Sequence, residues 1–195
     1  MKTIGLTGGI GMGKSTAAAA FRRARIPVFD ADAAVHALQA RGGRAVRAIA
    51  RAFPGTVRDG AVDRAALRQA VLFDDAALKQ LERILHPMVR QEERAFLARA
   101  RRAGHRLAVL DIPLLLETGG DSRVDQVVVV SAPAAVQRHR VRLRRKMTAA
   151  QTEAVIARQM PDGEKRRRAD VVIQTGLSRN HASRQLRRLI LRLVA

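Results

Sequence analysis

The chain of 195 residues contains no cysteine, tryptophan or tyrosine, so five phenylalanines are its only large aromatic residues. Without cysteine it forms neither a disulfide scaffold nor a thiolate metal site, which fits the reducing cytosol. With so few rings, nucleic-acid bases find little to stack on. No stretch approaches about 18 uninterrupted apolar residues, and the N-terminus opens on a strand-like run. We therefore expect a cytoplasmic protein without a membrane span.

Acidic residues are scarce as well. The 17 Asp and Glu residues stand against 37 Lys and Arg residues, which gives a net charge of +20 and predicts anionic partners. Only five of the basic residues are Lys, which indicates that a codon preference for Arg supplies part of the excess. Charge alone does not establish nucleic-acid binding, so no specific nucleic-acid partner is expected. The sequence yields no prediction of oligomeric state.

Short apolar runs alternate with longer helical stretches, a pattern typical of a parallel sheet covered by helices. The predicted strands are residues 3–7, 26–30, 107–111, 124–130 and 171–174. Between the second and third of them lie about 75 residues without a convincing strand, too many for one crossover helix. The sequence therefore predicts a core of residues 1–30, 106–132 and 169–195 with an inserted helical subdomain at residues 31–105.

Local signals divide the remaining chain. Asp63 and Asp74 have the positions of helix N-caps, Pro87 suits the first turn of another helix, and residues 53–60 form the predicted loop between these parts. Residues 133–168 carry a large excess of Lys and Arg, and Thr148 with Gln151 has the spacing of a capping box. This segment is predicted to be a basic helical hairpin.

Residues 8–15 read GGIGMGKS and match G-x-x-x-x-G-K-[ST], directly between a predicted strand and a predicted helix. In such a P-loop, backbone N–H groups point at phosphate oxygens and the helix adds its positive end. Lys14 can then reach the β- and γ-phosphates, and Ser15 can ligate magnesium. A plain glycine-rich turn would not require this flanking pattern. The predicted fold class is therefore α/β, a three-layer P-loop NTPase fold with a parallel five-stranded sheet.

The P-loop leaves the function open among GTPases, motor ATPases and small-molecule kinases. No D-x-x-G or N-K-x-D string occurs, so the elements expected beside a GTPase P-loop are missing. No G-x-G-x-x-G window occurs either, which argues against a dinucleotide-binding site. A small-molecule kinase is the favoured class.

A phosphoryl acceptor needs a carboxylate near its hydroxyl. Asp30 and Asp32 follow the second strand two residues apart, at the edge of the sheet where ligands bind, and one of them can orient the acceptor proton. The alternative is that Asp32 only caps the next helix. Asp111 ends the third strand and either holds metal or water, or only starts the turn at Pro113.

Basic residues supply two further candidate groups. His86 and Arg90 lie four residues apart on one helix face and can grip an anion, although a His-Pro pair is often structural. Arg residues of the hairpin can either form a solvated face or stabilise charge on a transferring phosphoryl group.

Together these segments resemble the dephospho-CoA kinase family over nearly the whole chain. The resemblance is carried by residues 4–16, Asp30-Ala31-Asp32, Leu85-His86-Pro87 with Arg90, residues 111–117 (DIPLLLE), and Arg140, Arg144, Gln159, Lys165 and Ala169-Asp170 in order. Two departures are the lid turn Arg144-Arg145-Lys146 and the sequence Gln174-Thr175-Gly176, where many members have Asn with Gly. The second departure predicts purine contacts made largely by backbone.

The resemblance implies a P-loop core, a helical CoA-binding insertion and a helical lid at residues 133–168. It implies ATP with Mg²⁺ as the donor and the ribose 3′-hydroxyl of dephospho-CoA as the acceptor. The implied catalytic residues are Asp32, Lys14 and Arg140; ATP-binding residues are Gly11, Met12, Gly13, Lys14, Ser15, Thr16 and Arg144; substrate-binding residues are Asp32, His86, Arg90, Pro113, Leu114 and Leu115.

Candidate metal ligands are Ser15, Asp32 and Asp111, with the choice among these carboxylates and Asp30 left open. Two other functions also remain open at this point. One is a kinase of another nucleotide or nucleoside, and the other is a basic nucleic-acid-binding P-loop ATPase.

Overall fold

A computed structural model describes residues 1–72, 74–145 and 147–194, and for Arg144 and Arg145 the backbone alone. The described chain forms two compact units, Met1–Phe29 with Arg99–Ala195 and Asp30–Ala98. No helix within the described ranges is long and apolar enough to cross a membrane.

The first unit is built around a five-stranded sheet of order β2-β5-β1-β6-β7. These strands are β1 (Lys2–Thr7), β2 (Val28–Asp30), β5 (Leu107–Asp111), β6 (Gln126–Ser131) and β7 (Val171–Gln174). Central strand β1 pairs in parallel with β5, Ile4 opposite Val109, and with β6, Thr7 opposite Val129. The predicted α/β fold with a parallel five-stranded sheet is confirmed, and the strand bounds differ from the predicted ones by at most two residues.

The strands are apolar along most of their length because helices cover both faces of the sheet. Those of the first unit are α1 (Lys14–Arg23), α6 (Ala134–Arg145), α7 (Ala149–Ala157), α8 (Asp162–Arg167) and α9 (Arg179–Val194), and a 3₁₀ turn spans Gly120–Arg123. One apolar cluster joins α1 and α9 to the sheet through Phe21, Leu186 and Leu189. A second, with Leu115 and Leu116, lies against Val127 and Val129 of β6. The predicted Thr148–Gln151 capping box begins α7.

The second unit has its own apolar core. It contains α2 (Ala31–Gln39), α3 (Val46–Ala52), β3 (Val57–Arg58), β4 (Ala61–Val62), α4 (Arg64–Val71) and most of α5 (Asp75–Arg102). Its core includes Leu38, Ile49, Phe53, Leu67, Leu81 and Leu85. Asp63 and Asp74 each accept two backbone N–H bonds at the starts of α4 and α5, so both predicted N-caps are confirmed.

One local prediction for this unit is wrong, and another holds only in part. Pro87 lies inside α5 instead of in its first turn. Apolar residues on both sides of it, Leu85 and Met88 among them, pack into the same core, and this packing outweighs the lost backbone hydrogen bond. Part of the predicted loop at residues 53–60 forms an antiparallel hairpin with β4, because Asp59 and Gly60 both have positive φ, as a two-residue type I′ turn requires.

Candidate active site

The glycine loop connects the carboxyl end of β1 to the first residue of α1. Gly13 is the N-cap of α1 with φ 97°, a conformation that favours glycine. Gly11 has φ 76°, and a Cβ built there would lie 2.8 Å from Cγ2 of Val141 on α6. Backbone conformation therefore favours glycine at both positions, and at Gly11 the close approach of α6 requires it as well. Ser15 and Thr16, in the first turn of α1, are exposed.

Lys14 and Asp111 form an ion pair at this edge of the sheet. The Nζ of Lys14 lies 2.5 Å from Oδ1 of Asp111, and the two side chains are 17% and 5% exposed. Asp111 ends β5, the neighbour of β1, so the parallel register brings the two charges together. The structure thus places side by side the residue predicted to bind phosphate, Lys14, and a residue predicted to bind metal, Asp111.

Side chains from outside the glycine loop hold the backbone of Ile10. The carbonyl of Ile10 accepts a bond of 3.0 Å from Nε2 of Gln137 on α6. Its N–H donates to Oε1 of Gln159, which follows α7, at 2.8 Å. Gln159 was noted in the sequence only through the family resemblance, and Gln137 was missed. Both contacts join residues far apart in the chain, so no local sequence pattern predicts them.

Arg140 of α6 is fixed on the same loop. Its Nη1 donates to the carbonyl of Gly11 at 3.4 Å and to Oγ1 of Thr175 at 3.1 Å, and its Nη2 donates to the carbonyl of Thr175 at 2.7 Å. The Thr175 hydroxyl in turn donates to the carbonyl of Met12 at 2.6 Å. The Met12 side chain is buried, and its sulfur accepts from the N–H of Ala132. The Met12 side chain therefore belongs to the apolar cluster of the first unit.

A buried ion pair connects the segment after β5 to α8. Lys165 is 0% exposed, and its Nζ lies 2.6 Å from Oε1 of Glu117, which also accepts from the N–H of Met160 at 3.1 Å. Between α6 and α7, the guanidinium of Arg138 hydrogen-bonds Glu153 and lowers the pKa of that carboxyl. Opposite charges thus tie these helices to one another and to the core of the first unit.

The predicted acceptor turn follows Asp111. The hydroxyl of Thr7, at the end of β1, donates to the carbonyl of Pro113 at 2.9 Å. Leu114 is 40% exposed, whereas Leu115 is fully buried in the apolar cluster against β6. In this structure Leu114 presents its side chain at the surface, and Leu115 anchors the turn.

The remaining candidates belong to the second unit. Asp30 is the N-cap of α2 and accepts from the N–H of Ala33 at 3.0 Å. Asp32 is exposed in the first helical turn, so it is not the cap, and the two carboxylates do not share the extended segment expected from the sequence. His86 and Arg90 are exposed one turn apart in the middle of α5. The proposed ATP-binding side chain of Arg144 lies outside the described residues.

A central parallel strand, a glycine loop and a helix that begins with Lys14 define the first unit as a P-loop protein of the three-layer α/β class. The family model described as dephospho-CoA kinase matches residues 2–180. The chain therefore belongs to the dephospho-CoA kinase family, as the resemblance in its sequence indicates.

Individual comparisons agree with this assignment. A protein of Paramagnetospirillum magneticum named dephospho-CoA kinase is 66% identical over 166 residues, which cover 85% of this chain and 78% of that protein. A protein of the same name from Mesorhizobium japonicum is 58% identical over 90% of this chain and 88% of its own length. The crystal structure of TT1252 from Thermus thermophilus has a TM-score of 0.84 at 36% identity, and the match covers 98% of this chain and 97% of that one.

Proposed function

We propose that the protein transfers the γ-phosphate of ATP to the ribose 3′-hydroxyl of dephospho-CoA, giving coenzyme A and ADP. The observation that carries the proposal is the P-loop with Lys14 paired to Asp111, in a chain that belongs to this family over residues 2–180. A cytoplasmic location belongs to the proposal and is supported by the absence of cysteine.

In the proposed reaction the donor phosphates bind to Gly11–Thr16. Backbone N–H groups of the loop and the positive end of α1 hold the phosphate oxygens. Lys14 neutralises charge on the β- and γ-phosphates, and Arg140 stabilises the charge of the transferring group. Because the transition state is loose, positioning and charge supply most of the rate enhancement. Arg144 is proposed as a further contact to ATP.

The oxygen atoms at the loop fit a magnesium ion. Mg²⁺ prefers oxygen ligands and usually binds through one or two carboxylates together with substrate phosphates. The Ser15 hydroxyl and the Asp111 carboxylate would serve as such ligands in the first unit, and Asp32 is the candidate from the second unit. When bound, the ion would neutralise developing charge on the phosphates.

The acceptor is proposed to bind through Asp32, His86, Arg90 and the Pro113–Leu115 turn. Asp32 orients the acceptor hydroxyl and takes its proton, which a carboxylate can do late in a loose transition state. The basic side chains His86 and Arg90 suit the anionic groups of a nucleotide-like acceptor. Residues 31–105 would then be the CoA-binding insertion and residues 133–168 the lid.

The reaction is tested by incubating the purified protein with ATP, Mg²⁺ and dephospho-CoA. A parallel tube contains AMP in place of dephospho-CoA, and the products of both are identified by mass spectrometry. A phosphorylated product from dephospho-CoA alone supports the proposal. Phosphorylation of AMP instead would favour the alternative of a kinase acting on another nucleotide, and no phosphorylated product in either tube would remove the proposed activity.

The role of Asp32 is tested by Asp32→Asn. We expect turnover to fall by about 10²-fold or more, as for loss of a general base, while ATP binding is retained. Asp75→Asn is the matched control, because Asp75 also lies exposed in the first turn of a helix, α5. Turnover of Asp32→Asn close to that of Asp75→Asn would exclude Asp32 as the base.

A further inference from the structure

Three successive carbonyls of the glycine loop are held by side chains from outside the loop. Gln137 donates to Ile10, Arg140 to Gly11, and Thr175 to Met12. Gln137 and Arg140 lie on α6, and Thr175 follows β7. The loop backbone is therefore held on one side by two separate segments of the first unit.

Holding these carbonyls also sets the direction of the loop N–H groups. A trans peptide unit is planar, with its C=O and N–H pointing in opposite directions, and the described chain has no cis peptide bond. Fixing the carbonyls of Ile10 and Met12 therefore turns the N–H groups of Gly11 and Gly13 to the opposite side of the loop. The N–H between them, on Met12, is used within the loop, where it donates to the carbonyl of Gly9 at 3.1 Å.

Thr175 joins several groups around the glycine loop through hydrogen bonds. It is 8% exposed, its hydroxyl accepts from Arg140 and donates to Met12, and its N–H donates to the carbonyl of Ser131 at 2.8 Å. A Cβ built on Gly13 would lie 3.3 Å from the Thr175 Oγ1. One hydroxyl thus links Arg140 to the carbonyl of Met12, and it lies close to Gly13, the N-cap of α1.

We propose that Thr175 and Gln137 are positioning residues of this enzyme: by holding loop carbonyls they aim the N–H groups of Gly11 and Gly13 at the nucleotide phosphates, and Thr175 also fixes Arg140. This inference rests on the proposed function in that the loop must bind a nucleoside polyphosphate. It does not depend on which acceptor is phosphorylated.

The test is Thr175→Val, which keeps the shape of the side chain and removes its hydroxyl. We expect the dissociation constant of MgADP, measured by calorimetry, to rise about tenfold, because the carbonyl of Met12 loses its donor. The turnover number should fall as Arg140 loses an anchor, while the KM of the acceptor stays within about twofold of wild type. Thr175→Ser keeps the hydroxyl and should restore both values.

Thr56→Val is the matched control. Thr56 is 4% exposed in the second unit, and its hydroxyl donates to the carbonyl of Phe53 at 2.7 Å. The same chemical change there should lower the melting temperature and leave the MgADP dissociation constant unchanged. If Thr175→Val likewise lowers the melting temperature and leaves the MgADP dissociation constant unchanged, Thr175 has only a packing role and the inference is wrong.

Gln137→Met gives an independent result should Thr175→Val fail to fold. Methionine has a similar length but cannot donate to the carbonyl of Ile10, so MgADP should again bind more weakly. In the nucleotide-free protein, the amide NMR signal of Gly11 should shift in this variant, and that of Gly13 in Thr175→Val. Unchanged signals and affinity would overturn the inference. A wild-type protein that does not bind MgADP would instead overturn the proposed function.

Discussion

At the scale of single residues, the pairing of Lys14 with Asp111 links stability to function. Both charges are largely buried, and removing one member of such a pair takes a counter-charge away from the other in a poorly solvated place. The same lysine is proposed to neutralise ATP phosphates. Its loss should therefore affect both folding and catalysis, and the two effects can be separated.

We expect Lys14→Met to lower the free energy of unfolding by about 3 kcal/mol in urea denaturation, and Asp111→Asn to have a similar or smaller effect. The double variant should be more stable than Lys14→Met, because no unbalanced charge remains. Turnover should drop by about 10²-fold or more in every variant that lacks Lys14. Additive losses of stability in the double variant would show that the two charges do not support each other.

At the scale of secondary structure elements, local sequence signals gave correct predictions where the hydrogen bonds that form the element are also local. Asp63 and Asp74 cap their helices, and Thr148 with Gln151 forms its capping box, because each bond joins residues two or three apart. The dipeptide Asp59-Gly60 is also a local signal for a two-residue hairpin turn, but the predicted loop at residues 53–60 did not take it into account. Pro87 was misplaced because apolar packing on both sides of it, which is not local, keeps α5 helical through that position.

Capping also predicts a pH dependence of stability. The N–H of Ala66, above all, holds the pKa of Asp63 below its usual value of 3.8, through hydrogen bonding to the ionised carboxylate. A pKa that is lower in the folded than in the unfolded state stabilises the fold above the unfolded value, and this stabilisation is lost as pH falls through the folded value. The contribution of Asp63 should therefore be present above about pH 4 and decrease as the pH falls below that value.

Asp63→Asn tests this, since asparagine still caps a helix but does not titrate in this range. The melting temperature of the variant should lie below that of wild type at pH 7, and the difference should shrink as the pH is lowered to about 3. Asp59→Asn, an exposed turn residue, controls for loss of a negative charge. A difference that is constant with pH would mean that ionisation of Asp63 does not support α4.

At the scale of the whole molecule, the alternation of apolar strands and helices was enough to predict the sheet and the P-loop at its edge. The contacts that complete the site were not predictable in this way. Gln137 meets Ile10 across 127 positions of sequence, and Thr175 meets Met12 across 163. Such pairs depend on the register of β6 against β1 and of β7 against β6, which local patterns do not encode.

The net charge of +20 also belongs to the whole molecule, and it motivates the rival function of a nucleic-acid-dependent ATPase. If the charge acts only as a general attraction, binding to double-stranded DNA should be weak, independent of sequence, and lost between about 50 and 200 mM salt. ATP turnover without acceptor should then be the same with and without DNA, whereas dephospho-CoA should raise it. Fluorescence anisotropy across the salt series and a coupled ADP assay measure the two quantities. DNA-stimulated turnover that persists at the higher salt would instead make nucleic acid a functional partner, because counterion release alone does not couple binding to hydrolysis.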